Sequence, residues 1–151
     1  MKIRKATIKD FEKLKEIKAE FYLWECKRDN RLNTKWINQG LGSRLARNLK
    51  QKNTAFFIAE DKGNIIGYAG AEIKKNPSSI KHKKRGHMFN LYIKPKYRNK
   101  GVGKKLVNII LNWFKKNKIS DLMIMTHSYN KRAYKIYNKF GFRDYIIELI
   151  K

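Results

Sequence analysis

A glycine- and cation-rich segment, Asn90 to Lys105, carries the clearest chemical information in this chain. Its sequence, NLYIKPKYRNKGVGKK, combines a short apolar run, a proline-containing turn and a loop that opens an amphipathic helix. Glycine lets a backbone approach its ligand closely, and the first N–H groups of a helix have no intrahelical acceptor. Because the helix dipole adds positive potential there, the site favours an anion, most naturally a phosphate. We therefore predict that this segment binds a pyrophosphate.

The glycine spacing separates this loop from two common nucleotide-binding patterns. The pattern GxxxxGK followed by Ser or Thr is absent, and GxGxxG fails because Lys104 and two further non-glycine positions follow Gly103. The pattern that fits is Arg/Gln-x-x-Gly-x-Gly/Ala, directly after an apolar strand. The predicted phosphate-binding residues are Arg98, Asn99, Lys100, Gly101, Val102, Gly103 and Lys104.

A second segment, Asn130 to Phe142, follows the first after one helix and one strand. Its sequence, NKRAYKIYNKFGF, fits the pattern N-x-x-A-x-x-x-Y-x-x-x-G-F. With both motifs present in this order, the sequence resembles the GNAT family of N-acetyltransferases, most strongly over residues 88–142. Within that family, the layout bears a weaker resemblance to the archaeal protein-lysine acetyltransferases.

The resemblance implies an acyltransferase that uses acetyl-CoA and no metal, with direct attack by an amine in a ternary complex. The loop would bind the pyrophosphate, and the preceding strand would bond the pantetheine arm as if it were an added strand. Tyr137 would lie near the sulfur and act as the general acid that protonates the leaving thiolate. The further implied cofactor contacts are Leu91, Tyr92, Ile93, Asn130 and Ala133.

The general base is less clearly indicated by the sequence. Glu72 lies on the strand before the central one and is the candidate, although an exposed structural glutamate would look the same. His87 and His127 flank the two central strands, and Asn90 occupies a position where a carboxylate would be convenient. A water chain from solvent to the amine is the remaining alternative.

The acceptor amine is expected to contact residues 20–40 and the polar loop 74–87. The first of these regions carries carboxylates and aromatic rings suited to a cationic amine, namely Glu20, Trp24, Glu25, Asp29 and Trp36. This composition favours a primary amine of a protein, either a lysine side chain or an N-terminus. The alternatives are a small molecule (a polyamine, aminoglycoside or amino acid) and a catalytically silent module that binds acetyl-CoA or nucleic acid.

The chain has 37 Lys and Arg residues against 12 Asp and Glu, a net charge of +25. Such a surface attracts polyanions, including nucleic acid, although the same lysine bias is also typical of some genome compositions. The single cysteine, Cys26, excludes an internal disulfide and a cysteine-based zinc site. No apolar run is long enough for a membrane span, and the first ten residues lack a signal-peptide centre. We therefore expect a cytoplasmic protein, monomeric or homodimeric, without a membrane partner.

Hydrophobic periodicity predicts the elements that must position these residues. Strands are expected at 3–6, 54–60, 65–73, 87–93, 121–126 and 142–150. Thr7 to Asp10 matches a capping box ahead of a first helix that ends at about residue 26. Further helices are expected after residues 33–34, after the glycine loop with Leu106 to Phe114 on its buried side, and at 130–140. The order β-α-α-β-β-β-α-β-α-β predicts one α/β domain over residues 1–151, with a mixed sheet and helices on both faces. The resemblance implies the GNAT fold: six to seven mostly antiparallel strands, about four helices and splayed central strands.

Overall fold

One open sheet with helices on both faces organises residues 1–150, the part of the chain described by the computed structural model. The strands are β1 (Lys2–Lys5), β2 (Thr54–Asp61), β3 (Asn64–Lys75), β4 (Lys84–Ile93) and β5 (Leu122–Ile124). The helices are α1 (Phe11–Cys26), α2 (Gly42–Lys50), α3 (Val102–Lys116) and α4 (Lys131–Asn138). Short helical turns at Ile8–Asp10, Ile37–Leu41 and Pro95–Tyr97 connect them.

The five strands follow one another in sequence order across the sheet. Strands β1 to β4 pair antiparallel, whereas β4 and β5 pair parallel. The β2–β3 turn has positive φ at Lys62 (48°) and Gly63 (77°), as a two-residue hairpin turn of the favoured hand requires. The mixed, mostly antiparallel sheet and the four helices are thereby confirmed.

The two faces of the sheet bury separate apolar cores. On one face α1 and α2 cover a cluster that includes Leu14, Ile17 and Tyr68. On the other face α3 and α4 cover a cluster that includes Leu106, Phe114 and Tyr137. Because β2 and β3 face helices on both sides, their sequences are almost continuously apolar.

An ion-pair network fixes the start of α1 to the sheet. The Arg4 guanidinium donates to both carboxylate oxygens of Asp10, at 2.8 and 2.7 Å, and to both of Glu60, each at 2.8 Å. Asp10 also accepts from the Thr7 backbone N–H at 2.8 Å and from its hydroxyl at 3.1 Å, as the predicted capping box requires. Arg4 and Asp10 of the sequence pattern Arg-x-Ala-x-x-x-Asp at residues 4–10 therefore have a structural role: they hold the start of α1 against the sheet.

Two expectations about the elements are wrong. The sheet has five strands among residues 1–150, not six or seven, because the apolar segment 142–150 forms no strand and exposes Tyr145, Ile147 and Leu149. A short apolar run is consistent with an extended backbone but does not specify the strand that it pairs with. The polar loop 74–87 is also shorter than expected, because cross-strand pairing continues to Lys75 and resumes at Lys84.

No helix among residues 1–150 is both long enough and apolar enough to cross a membrane.

Replacing Asp10 by Asn should lower the free energy of unfolding by about 2 kcal/mol near neutral pH, since Arg4 and Thr7 lose a charged acceptor. The Arg4 hydrogen bonds lower the pKa of Asp10 from 3.8 to about 2. The folded-state pKa is depressed, so the stabilisation is complete above about pH 4 and is lost as the pH falls through about 2. Urea unfolding of both proteins across this range measures it, with exposed Glu12→Gln as control. A difference that stays constant down to about pH 2 would contradict the assignment.

Candidate functional site

The predicted phosphate loop folds into a tight turn that exposes its backbone at the start of α3. Gly101 is the N-cap residue, with φ at +75°, and Asn99 also has a positive φ of 65°. A side chain at position 101 would be strained at this φ. The glycine offers no side chain to accept from the first amides of α3, so those of Val102, Gly103 and Lys104 are available to a ligand.

A cleft of about 660 Å³ lies between this loop and α4. The cations on its walls are Arg98, Lys104, Lys131, Arg132, Lys135 and Lys139. Arg132 also ties the two walls together, since its Nη2 donates to Asn99 Oδ1 at 2.6 Å. Free helix amides surrounded by several cations form a site for a ligand with more than one phosphate group.

Several predicted loop residues also have internal roles. Arg98 Nε donates to the Ile93 carbonyl at 2.9 Å, and its guanidinium lies 5.7 Å from the Tyr92 ring centroid. Lys100 Nζ lies 5.6 Å from the Tyr97 ring centroid. Val102 is buried in the core, so only its backbone can face a ligand. The loop is thus anchored to β4 by the arginine of its own motif.

The end of β4 next to this loop lacks a neighbouring strand on one side. Strand β5 pairs only with residues Gly86 to Met88 of β4, so Leu91 to Ile93 lie beyond the last paired residue. The other side of β4 carries a bulge, in which Asn90 and Leu91 lie opposite the single residue Ala69. Asn90 has a φ of +52°. Bulged residues leave the regular ladder, so this stretch of β4 combines an open edge with a local bend.

Tyr137 of α4 lies in the core on the α3 side of the sheet, 6% exposed. Burial raises the pKa of its hydroxyl well above 10, and no hydrogen bond contributes to that shift. The phenol is therefore neutral and available as a donor. In the same helix, Asn130 Oδ1 accepts from the Ala133 backbone N–H at 3.2 Å, so this asparagine caps the helix.

Glu72, the predicted base, is held by two cationic or hydrogen-bonding neighbours. Its Oε1 lies 2.6 Å from Lys74 Nζ and 3.0 Å from His87 Nδ1. Although burial acts in the opposite direction, these contacts hold the pKa of Glu72 below its usual value. A paired carboxylate of low pKa is a weak proton acceptor.

The residues predicted to contact the acceptor are distributed between ion pairs and packing. Glu20 lies 2.8 Å from Lys94, and Asp29 lies 2.6 Å from Arg31. Trp24 is stacked by Arg28, and Trp36 packs against Tyr22. Glu25 is the predicted carboxylate with the longest ion-pair contact, which is 3.8 Å to His127 Nε2.

Two residues of this region were missed by the sequence-based predictions: Lys18 and Tyr68. Lys18 occupies a position on the apolar stripe of α1 formed by Phe11, Leu14 and Phe21, where a charged residue is unexpected. That interruption of the stripe was the available sign of a buried polar contact. Nothing in the sequence distinguishes Tyr68 from an ordinary core aromatic of a buried strand.

Comparison with known proteins identifies the family. The sequence profile described as the Acetyltransferase (GNAT) family matches residues 11–142. A solved structure of a predicted acetyltransferase with acetyl-CoA from Clostridium acetobutylicum superposes with a TM-score of 0.78 and 21% identity. The superposition covers 99% of this chain and 95% of that one, which shows the same fold.

Three curated relatives differ in how much of their length is matched. N-acetyltransferase 8 of Rattus norvegicus is 28% identical over 63% of this chain, but the match spans only 42% of that protein. Spermidine N(1)-acetyltransferase of Thermoplasma acidophilum is 25% identical, with 98% of this chain and 96% of the relative covered. N-alpha-acetyltransferase of Sulfurisphaera tokodaii is 28% identical, with coverage of 64% and 60%.

Proposed function

The chain belongs to the GNAT family of acetyltransferases, and from that premise we propose that it transfers an acetyl group from acetyl-CoA to a primary amine of a polypeptide. The observation that carries the proposal is the continuity of the donor site. The cationic cleft, the glycine loop and the open edge of β4 adjoin one another, and Tyr137 lies on the helix that forms the far wall. This layout suits a ligand with phosphates at one end and an extended arm at the other.

The residues present fit acetyl-CoA. The amides at the start of α3 would bind the pyrophosphate, and the cations of α4 would meet the remaining phosphate. The backbone of Leu91 to Ile93 would pair with the pantetheine amides at the edge that β5 leaves open. Asn130 and Ala133 would border the arm at the start of α4.

Tyr137 would donate its proton to the leaving thiolate. The burial that raises the pKa of this phenol would also raise the pKa of a thiol formed beside it, because desolvation disfavours both anions. The neutral phenol can therefore give its proton to the sulfur as the carbon–sulfur bond breaks. The core around this side chain fixes its position.

A polypeptide amine is favoured over a free polyamine by charge. With Glu20 and Asp29 in ion pairs, the acceptor side offers one weakly paired carboxylate, Glu25, against a net protein charge of +25. One carboxylate matches one ammonium group, whereas a free polycation would be repelled by the protein as a whole. The relative named N-alpha-acetyltransferase is consistent with this choice.

A small-molecule amine is the second candidate. The relative named spermidine N(1)-acetyltransferase is matched over 96% of its length, against 60% for the N-alpha-acetyltransferase. The two candidates differ in the size of the acceptor and share the donor site, so one experiment can separate them.

Incubation with acetyl-CoA and a panel of acceptors tests the proposal. We expect CoA release and a mass increase of one acetyl group on lysine-containing or N-terminal peptides, at rates well above those for spermidine, aminoglycosides and free amino acids. Thiol release followed optically, together with mass spectrometry, measures both. Turnover of spermidine alone would establish the second candidate, and salt-sensitive RNA binding without turnover would establish a silent module.

Gly103→Leu should weaken acetyl-CoA binding at least ~10-fold without destabilising the fold. A Cβ at this position meets no atom within 4 Å, and leucine favours a helix more than glycine does, but its side chain would block the backbone from the phosphates. Calorimetric titration with acetyl-CoA and thermal melting measure the two effects. Unchanged affinity would place the pyrophosphate elsewhere.

Tyr137→Phe should lower kcat by about 100-fold while leaving the KM for acetyl-CoA nearly unchanged, because only proton transfer to the sulfur is lost. Tyr134→Phe is the matched control: it lies on the same helix, is 39% exposed and donates to Asp144. Steady-state kinetics across pH make the comparison. An unaltered rate in Tyr137→Phe would exclude the general-acid role.

A further inference from the structure

Helix α1 places two charged side chains among the apolar residues that face the sheet. Lys18 and Glu25 are seven residues apart, two helical turns, and so lie on the same side of α1 as Phe21. Lys18 Nζ lies 5.1 Å from the Phe56 ring centroid and 5.2 Å from that of Tyr68. Burial lowers its pKa to about 8, with Arg44 acting in the same direction and Glu25 opposing it.

Lys18 connects this cluster to the bulge of β4. Its Nζ donates to Asn90 Oδ1 at 3.1 Å, at the residue whose positive φ creates the bend. The cluster therefore adjoins the strand along which the donor is proposed to lie, on the α1 side of the sheet. Tyr137 lies on the α3 side, so it and the core residues beneath α1, such as Tyr68, are on opposite faces of the sheet.

Tyr68 has a hydroxyl that is fully enclosed and has no hydrogen-bond partner among residues 1–150. Leaving such a group unpaired is costly, so buried hydroxyls in native proteins nearly always have a partner. Burial raises the pKa of this tyrosine well above 10, and the charge of Glu25 acts in the same direction. Tyr68 is thus a neutral buried donor in the core beneath α1.

Glu25 is the carboxylate of this site with the weakest internal pairing. Its side chain is 18% exposed, and its ion-pair contact within 4 Å is with the imidazole of His127, 3.8 Å away at Nε2, in the segment that follows β5. Burial raises its pKa to about 7, while Lys18 opposes this and Asp29 adds to it. A carboxylate with these properties is partly ionised near neutral pH and binds a proton more readily than an ordinary glutamate.

We propose that Glu25 is the residue that takes the proton from the acceptor amine, at the opening between β4 and β5 that the bulge at Asn90 adjoins. This proposal rests on the proposed function. It assigns the base to Glu25 in place of Glu72, because Glu72 is paired with Lys74 and His87.

The proton balance closes with the residues named. The ammonium of the acceptor gives one proton to the Glu25 carboxylate, from which it passes to solvent. The neutral amine then forms a bond to the carbonyl carbon as the carbon–sulfur bond breaks, and Tyr137 protonates the sulfur. The second proton lost from nitrogen replaces that of Tyr137 through solvent, so each turnover releases one proton, one amide and one free thiol.

Glu25→Gln tests the proposal. We expect kcat/KM for the amine to fall at least ~100-fold at about pH 8, with the KM for acetyl-CoA unchanged. In the wild type, kcat/KM should rise with pH through a limb near the raised Glu25 pKa of about 7, and that limb should vanish in the variant. Exposed Glu16→Gln on the same helix is the matched control.

Other titrating groups near Glu25 must be distinguished from it. They are Lys18, Tyr22 and Asp29 from α1 and the turn after it, Tyr68 from β3, and His127 and Tyr129 from the segment before α4. Measuring the profile with two acceptors of different amine pKa separates the enzyme from its substrate. A limb that moves with the acceptor, or that persists in Glu25→Gln, would overturn the proposal.

Thermal melting separates a chemical role from a structural one. The pKa of Glu25 in the folded protein lies above the ordinary glutamate value of 4.5, so ionisation opposes folding as the pH rises from about 4.5 to 7. Glu25→Gln should therefore melt no lower than the wild type at about pH 8, and a clearly lower melting temperature would indicate a structural residue.

Failure of the parent proposal gives a different result. If the wild type releases no CoA with any amine of the panel, the proposed function is wrong and Glu25 has no such role. If the wild type turns over and Glu25→Gln keeps its rate and pH profile, only the assignment of Glu25 is wrong.

Discussion

The limited pairing between β4 and β5 is the constraint on which the rest of the structure depends. Backbone N–H and C=O groups inside a folded protein need partners, and β4 has them on both sides only where β5 runs beside it. From Phe89 onward no strand pairs with one side of β4. The glycine loop follows this open stretch directly, and α4 follows β5, so both walls of the cationic cleft begin where the strands part. A short β5 thus creates the cleft that is proposed to bind the donor.

The distribution of charge gives the two sides of the sheet different tasks. On the α3 and α4 side, cations gather around the start of a helix, where they and the amides act in the same direction. On the α1 side, carboxylates are concentrated on α1 and the turn after it, and Lys18 is buried beside aromatic rings. The net charge of +25 describes the molecule less well than this division does.

The backbone geometry of the proposed donor half could be predicted from sequence because it depends on local chemistry. Gly101 needs its positive φ whatever surrounds it, and Asn130 caps α4 through a contact only three residues away. The proposed acceptor half joins residues that are distant in sequence. Lys18 donates to Asn90, 72 positions away, and the carboxylate of Glu72 is paired with His87 on the neighbouring strand. A single sequence does not reveal such pairings. The strand expected at 142–150 is wrong for the same reason, since its partner is not encoded in its own pattern.

The bulge at Asn90 affects the backbone of β4 without disturbing the two cores. Phe89 and Tyr92 pack beneath α1, and Leu91 and Ile93 pack beneath α3, which is the alternation of a regular strand with Asn90 left out. Deleting Asn90 would therefore restore a regular ladder opposite Ala69 and keep the neighbouring side chains on their present faces. The deletion would remove the local bend beside the open edge and the amide oxygen that accepts from Lys18. The additional residue thus contributes to the shape of this edge and not to the packing of the sheet.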